Sequence, residues 1–191
     1  MKALTDFWLG ERNAETMWAS WEAPHRKQIL GALSCLPTVQ SVYELGCGAG
    51  PNLRLIARAR PDLKVGGSEP NEGLAAWASE HLGVTIDQAP LPVVPSAPWD
   101  VTVSCYTMAY VDGDTARQTL RDIQSRYLVI FEPTAHVAPF GPPGLYEGHA
   151  MLSYVHDYLA LGIDTGWTPL WRWPFYPHHQ GLNVVLILER V

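Results

Sequence analysis

Cysteine is scarce in this sequence, and its spacing is uninformative as a ligand set. Three cysteines occur in 191 residues (Cys35, Cys47, Cys105), an odd number with no C-x-x-C pair, so neither a disulfide framework nor a thiolate zinc site is expected. Histidines do not fill that gap. His149 and His156 are seven apart, roughly 10 Å along a helix axis, and the adjacent His178 and His179 would point apart in a turn, so no metal is expected. No apolar run approaches the roughly 18 residues of a membrane span. The opening Met1-Lys2-Ala3-Leu4-Thr5-Asp6 lacks the apolar core of a signal peptide, so a reducing, cytoplasmic setting is expected. Excess positive charge is missing too: the formal net charge of −6 disfavours a nucleic-acid partner, which needs a basic surface. Internal repeats and linkers are absent, so residues 1–191 read as one domain, large enough for a proper core.

What the chain does have is one organising stretch, Val42-Tyr43-Glu44-Leu45-Gly46-Cys47-Gly48-Ala49-Gly50-Pro51-Asn52. It reads as a buried strand ending in an acid, a glycine turn, and the first turn of a helix that opens on Pro51. Leu53, Ile56 and Ala57 share one helical face that packs back onto a sheet. A strand–glycine turn–helix unit is the cofactor cradle of an open α/β sheet. The pattern is Glu-x-Gly-x-Gly-x-Gly, and Pro51 stands where a dinucleotide fingerprint has Gly or Ala, which disfavours a nicotinamide enzyme. A carboxylate at Glu44 suits a ligand with an ammonium group or hydroxyls better than one with a pyrophosphate.

This stretch resembles the first motif of the class I S-adenosylmethionine-dependent methyltransferases, and further motifs follow in the family's order. Leu63–Ser68 reads as a second strand ending at Glu69-Pro70-Asn71. Glu69 lies 23 residues after Gly46, where the family places an acid that accepts hydrogen bonds from both ribose hydroxyls. Its plainer alternative is an acid stabilised by the dipole of the next helix. Asn71 caps that helix, Leu74, Trp77, Ala78 and Leu82 form its inner stripe, and Gly83 ends it. The short strand 84–86 ends at Asp87-Gln88-Ala89, where the resemblance implies contacts to the adenine amino group and ring. Residues 90–98, with four prolines, form a loop. The strand Asp100–Cys105 then continues into Tyr106-Thr107-Met108-Ala109-Tyr110-Val111, similar to the segment that follows the fourth strand in small-molecule methyltransferases. No Asp/Asn-Pro-Pro-aromatic motif and no Pro-Cys pair is present, which argues against methylation of DNA bases.

The resemblance implies a Rossmann-like α/β fold, doubly wound and mostly parallel, with seven strands and a terminal antiparallel hairpin. The expected division is a helical cap over 1–40, a cofactor-binding core over 41–133, and a substrate loop, helix and closing strands over 134–191. Within it, Tyr127–Phe131 is a buried strand, 134–150 a loop, a helix runs from about Met151 to Leu161 with Gly162 ending it, and strands occupy 168–173 and 182–188. The implied cofactor is S-adenosylmethionine, with S-adenosylhomocysteine as product. The residues that would hold it are Glu44, Gly46, Cys47, Gly48, Gly50, Asn52, Glu69, Pro70, Asn71, Asp87, Gln88, Ala89, Cys105 and Tyr106.

Tyr106, Tyr110, Glu132 and His136 follow the fourth and fifth strands and are expected to face the transferred methyl. His136 is the candidate base because histidine titrates near neutrality; Tyr106 is the other candidate at the reacting centre, better suited to lining the site. The aromatic segment before Pro24 is expected to act as a lid, with Trp18, Trp21, His25 or Arg26 near the ligand, or simply to cover the sheet. Arg54, Arg58, Arg60 and Lys64 read as a solvated helix face. The expected activity is methyl transfer to O or N of a small molecule by a monomer or homodimer. A cofactor-binding module without chemistry, and a methyltransferase for protein or RNA, are the alternatives.

Overall fold

The structure, a computed structural model, describes residue 10 and residues 13–92, 95, 97–135, 144–147, 152–175 and 183–190. Helix α1 (Ala14–Ala19) starts where the Asn13 side chain accepts the Thr16 N–H at 2.8 Å. Two 3₁₀ turns, Ser20–Glu22 and Pro24–Arg26, lead into α2 (Lys27–Ser34), which buries Ile29, Ala32 and Leu33. The helical character expected over 1–40 is thus present from residue 14 onward, in short pieces. Phe7 and Trp8 lie outside the described residues.

Strands and helices then alternate: β1 (Ser41–Leu45), α3 (Pro51–Ala59), β2 (Lys64–Ser68), α4 (Glu72–Leu82), β3 (Ile86–Asp87), β4 (Val101–Cys105), α5 (Gly113–Asp122) and β5 (Tyr127–Pro133). The remainder is β6 (Gly144–Glu147), β7 (Leu152–Val155), α6 (Tyr158–Asp164), β8 (Thr168–Phe175) and β9 (Asn183–Glu189). Seven strands form one sheet in the order β3-β2-β1-β4-β5-β9-β8. The pairs from β3 through β5 are parallel; β9 runs antiparallel to both β5 and β8. The expected mostly parallel, seven-stranded sheet with a terminal antiparallel hairpin is therefore observed.

Successive residues of a strand point to opposite faces, and both faces here are covered. Val129 and Phe131 of β5 join Ile29, Leu53, Ile56 and Ala78 from α2, α3 and α4 on one side. Leu128 and Ile130 join Leu120, Ile123, Tyr158 and Trp167 on the other. Strand order reverses between β1 and β4, and in such sheets the carboxyl ends of the strands beside that reversal are where ligands bind. No helix among the described residues is long and apolar enough to cross a membrane.

Three local expectations are corrected. The helix expected from about Met151 begins only at Tyr158, because the Asp157 side chain accepts the Ala160 N–H and sets the start there. Residues 152–155 are instead β7, paired antiparallel with β6, which itself lies inside the expected loop. Gly162 does not end α6, which runs to Asp164. It is buried at a close approach to β9, where a Cβ would sit 2.8 Å from Leu188 Cδ1. The basic cluster is at least partly exposed throughout, as expected of a solvated face, and three of its cations also lie over indole rings: Arg54 4.6 Å from the Trp18 ring centre, Arg58 4.7 Å from Trp21, and Lys64 4.4 Å from Trp99.

Gly67 in β2 shows how tightly the strands beneath the glycine turn are fitted. A Cβ there would stand 2.7 Å from the Glu44 carbonyl oxygen and 3.2 Å from Cys47 Cβ. Backbone cannot yield as a side-chain tip can, so Gly67→Ala is expected to lower the unfolding free energy by about 1–3 kcal/mol. Urea melts of the two proteins check this; an unchanged midpoint contradicts it.

Candidate functional site

The carboxyl ends of β1, β2, β3 and β4 surround a cavity of about 560 Å³, a size typical of small-molecule sites. Its floor is the glycine turn. Gly48 has φ of +57°, a region L side chains rarely adopt, and a Cβ there would lie 2.6 Å from Met17 Sδ. The Ala49 N–H donates to that same sulfur at 3.3 Å, so α1 rests directly on the turn.

Glu69, at the end of β2, is buried and lines the cavity. Its Oε2 accepts the Gly48 N–H at 2.8 Å and its Oε1 accepts the Asn71 N–H at 2.9 Å. Burial raises its pKa and these two N–H donors oppose the rise. Each oxygen retains a further lone pair. Pro70 lines the cavity beside it.

Glu44 is 1% exposed and also lines the cavity. Its Oε1 accepts from Asn52 Nδ2, and Asn52 Oδ1 in turn accepts from Arg26 Nη1 at 2.7 Å. The other oxygen, Oε2, is buried with no hydrogen-bond partner among the described residues. Burial pushes the Glu44 pKa up to about 8, against the pull of Asn52 and Arg26, with Glu69 adding to the rise. An orphaned carboxylate oxygen is costly unless something cationic or protic reaches it.

The segment after β4 forms the opposite wall. Cys105, Tyr106, Thr107, Tyr110 and Val111 line the cavity. Tyr106 has φ of +53°, a costly conformation for a bulky side chain that surrounding structure must enforce. The enforcer is Glu132. Fully buried in β5, its carboxylate accepts the N–H groups of Thr107 (2.7 Å), Met108 (3.0 Å) and Ala109 (3.3 Å) and the Ser104 hydroxyl (2.7 Å). His156 secures the same turn from beyond, its Nε2 lying 3.0 Å from the Val111 oxygen and 3.2 Å from the Met108 oxygen. Thr107 Oγ1 donates to the Leu45 oxygen at 2.9 Å, tying the wall to β1.

Of the residues singled out from sequence, Glu44, Gly46, Cys47, Gly48, Asn52, Glu69, Pro70, Gln88, Ala89, Cys105 and Tyr106 line this one cavity. Gly50, Asn71 and Asp87 do not. Gly50 packs toward Leu82, Ala78 and Trp18, and Asn71 accepts the Leu74 N–H to cap α4. The Asp87 carboxylate accepts the Tyr43 hydroxyl at 2.7 Å. Glu132 does not face the cavity; it is spent on the turn beneath Tyr106. His136 lies outside the described residues. His25 and Arg26 line the cavity, whereas Trp18 and Trp21 cover arginines of α3 outside it. Burial raises the pKa of both Cys47 and Cys105, so neither is a ready thiolate nucleophile. No cluster of three metal-ligating side chains occurs among the described residues.

Met17, Thr107 and the staple role of Glu132 had no signal in the sequence. A methionine in a short helix and an acid within an apolar strand look like ordinary core and strand-end residues.

The chain matches no protein-family model, and no curated protein matches it. Solved structures do match. The sugar N-methyltransferase KedS8 from Streptoalloteichus superposes with a TM-score of 0.68 over 95% of this chain and 96% of its own, at 16% identity. Magnesium protoporphyrin IX methyltransferase (ChlM) from Synechocystis, solved with bound S-adenosylmethionine, gives 0.64 over 99% and 90%, at 15% identity. A S-adenosylmethionine-dependent methyltransferase from Leishmania major gives 0.71 over 97% and 81%, at 14% identity. The chain has the Rossmann-like fold of these methyltransferases.

Burial pushes the Glu132 pKa up to about 7 from an ordinary 4.5. A carboxyl raised in the folded state holds its proton longer there than in the unfolded chain. Its contribution to stability therefore falls as pH rises from about 4.5 through about 7 and then levels. Glu132→Ala leaves three amides and a hydroxyl without their acceptor and is expected to cost at least about 3 kcal/mol. Denaturant melts across this pH range should show that loss, together with a shallower fall of stability with pH in the variant.

Proposed function

We propose that this protein is a S-adenosylmethionine-dependent methyltransferase acting on an oxygen or nitrogen atom of a small molecule. The observation that carries the reading is the unpaired Glu44 oxygen, buried where β1 meets the glycine turn and sharing one cavity with the Glu69 carboxylate. That pair suits a ligand with an ammonium group at one point and a vicinal diol at another, and the fold is one in which other chains methylate.

The residues present fit the cofactor. Glu44 would take its ammonium, Gly46, Cys47 and Gly48 would lie along it, and the remaining lone pairs of Glu69 would take the ribose hydroxyls. Pro70, Gln88, Ala89 and Leu91 would enclose the base, with Asp87 held at the rim by Tyr43. Gly50 and Asn71 would serve by shaping the turn and the next helix. When bound, the cofactor supplies an electrophilic methyl on a sulfonium sulfur. The chain's own contribution is positioning and exclusion of water, which supply much of the acceleration of an in-line displacement. Tyr106 and Tyr110 wall the side left for the acceptor. The helical cap over 1–40, the core over 41–133 and the closing segment over 134–191 would make one catalytic unit. A cytoplasmic site of action suits its free thiols.

Calorimetric titration tests the proposal. S-adenosylmethionine and S-adenosylhomocysteine are expected to bind in the micromolar range while NADH does not, and Glu69→Ala should weaken both by roughly tenfold or more. Because Glu44 must lose its proton to meet an ammonium, S-adenosylhomocysteine affinity is expected to rise from about pH 6 and to level near pH 8. Glu44→Gln should flatten that rise. No binding of either sulfur ligand to folded protein would overturn the proposal.

A further inference from the structure

His25 belongs to the 3₁₀ turn Pro24–Arg26, so its imidazole reaches the cavity from the lid and not from the sheet. Its ring is edge-on to Tyr106 (centroids 6.1 Å apart, planes at 90°) and roughly parallel to Phe131 (6.2 Å, 20°). This puts it over the carboxyl ends of β4 and β5, against the strained tyrosine. Neither ring nitrogen has a hydrogen-bond partner among the described residues. Several other polar side chains of the cradle are engaged: Arg26 by Asn52 and Ser20, Glu69 by the Gly48 and Asn71 amides, Thr107 by Leu45. His25 is also placed with some firmness, since the next residue is anchored through Asn52 to the glycine turn.

We propose that His25 orients the methyl acceptor, accepting a hydrogen bond from the O–H or N–H of an uncharged, flat ring compound packed against Tyr106 and Tyr110. This rests on the methyltransferase reading and names its acceptor class. Among the described residues the wall on this side, Tyr106, Tyr110 and Val111 with Thr107, carries no carboxylate to meet a cationic amine. Burial, then the neighbouring Arg26, pull the His25 pKa down to about 4, so the ring is neutral throughout the physiological range and keeps one nitrogen lone pair available. So weak a base is suited to accepting a hydrogen bond that aims the acceptor's lone pair, and poorly suited to removing a proton.

The test uses the full chain saturated with S-adenosylhomocysteine. It is titrated with phenol and aniline, and with anisole and N,N-dimethylaniline, which present the same ring without the hydrogen. Wild type is expected to favour the hydrogen-bearing pair by roughly tenfold. His25→Phe should abolish the preference, His25→Gln should retain part of it through its amide oxygen, and both variants should bind S-adenosylhomocysteine as wild type does. In ¹⁵N spectra the His25 ring should shift on addition of phenol and not of anisole. An equal affinity for both pairs, no binding of any of the four, or a preference that survives in His25→Phe overturns the inference while leaving the methyltransferase reading standing. Failure of wild type to bind S-adenosylhomocysteine removes both.

Discussion

The bond from the Gly48 amide to the Glu69 carboxylate is the contact on which the site depends. It spans 2.8 Å between the glycine turn after β1 and the end of β2. The second oxygen of Glu69 takes the Asn71 amide, and Asn71 caps α4. One side chain thus fixes the turn, the strand end and the following helix relative to one another. Glycine suits position 48 on two counts: its left-handed backbone, and the Met17 sulfur, which lies 2.6 Å from where a Cβ would stand. Everything else in the cavity is positioned around that arrangement.

Three buried glutamates sit within the same end of the sheet, and counting their donors separates their tasks. Glu132 receives three amides and a hydroxyl, so its charge is fully used in holding a strained tyrosine against the cavity. Glu69 receives two amides and keeps capacity to spare. Among the described residues Glu44 receives only Asn52, and one of its oxygens has no partner. Burying a carboxylate with half its acceptors unmet is unfavourable, so the free protein holds the Glu44 proton up to about pH 8. That deficit is what a ligand ammonium would relieve. The same comparison explains why Glu132, which looked from its place near a strand end as though it should face the reacting centre, belongs to the scaffold.

Much of this was legible in the sequence where local chemistry dictates local structure. The glycine turn with Pro51 opening α3, the Asn71 cap, Gly83 after α4 and the apolar run of β5 each carry their own physical signal. Glu44 was legible because it stands directly before the glycine turn, and Glu69 because the resemblance to the methyltransferase family implies an acid at the end of the second strand. What was not legible depends on partners distant in the chain. Whether 151–161 is helix or strand turned on the β6 pairing and on Asp157 as a cap. Whether Trp18 and Trp21 face a ligand or the arginines of α3 turned on how the lid lies over that helix. Met17 of α1 against Gly48 and Thr107 over Gly46 could be found only from the packed structure, since neither residue type announces a contact with a backbone turn.

A crystal structure with S-adenosylhomocysteine tests the central claim most directly. The account predicts the ammonium against Glu44 Oε2, both ribose hydroxyls on Glu69, and the thioether sulfur directed toward Tyr106 and His25. A ligand bound outside this cavity, or within it with the ribose away from Glu69 and Glu44 Oε2 still unpaired, would contradict it.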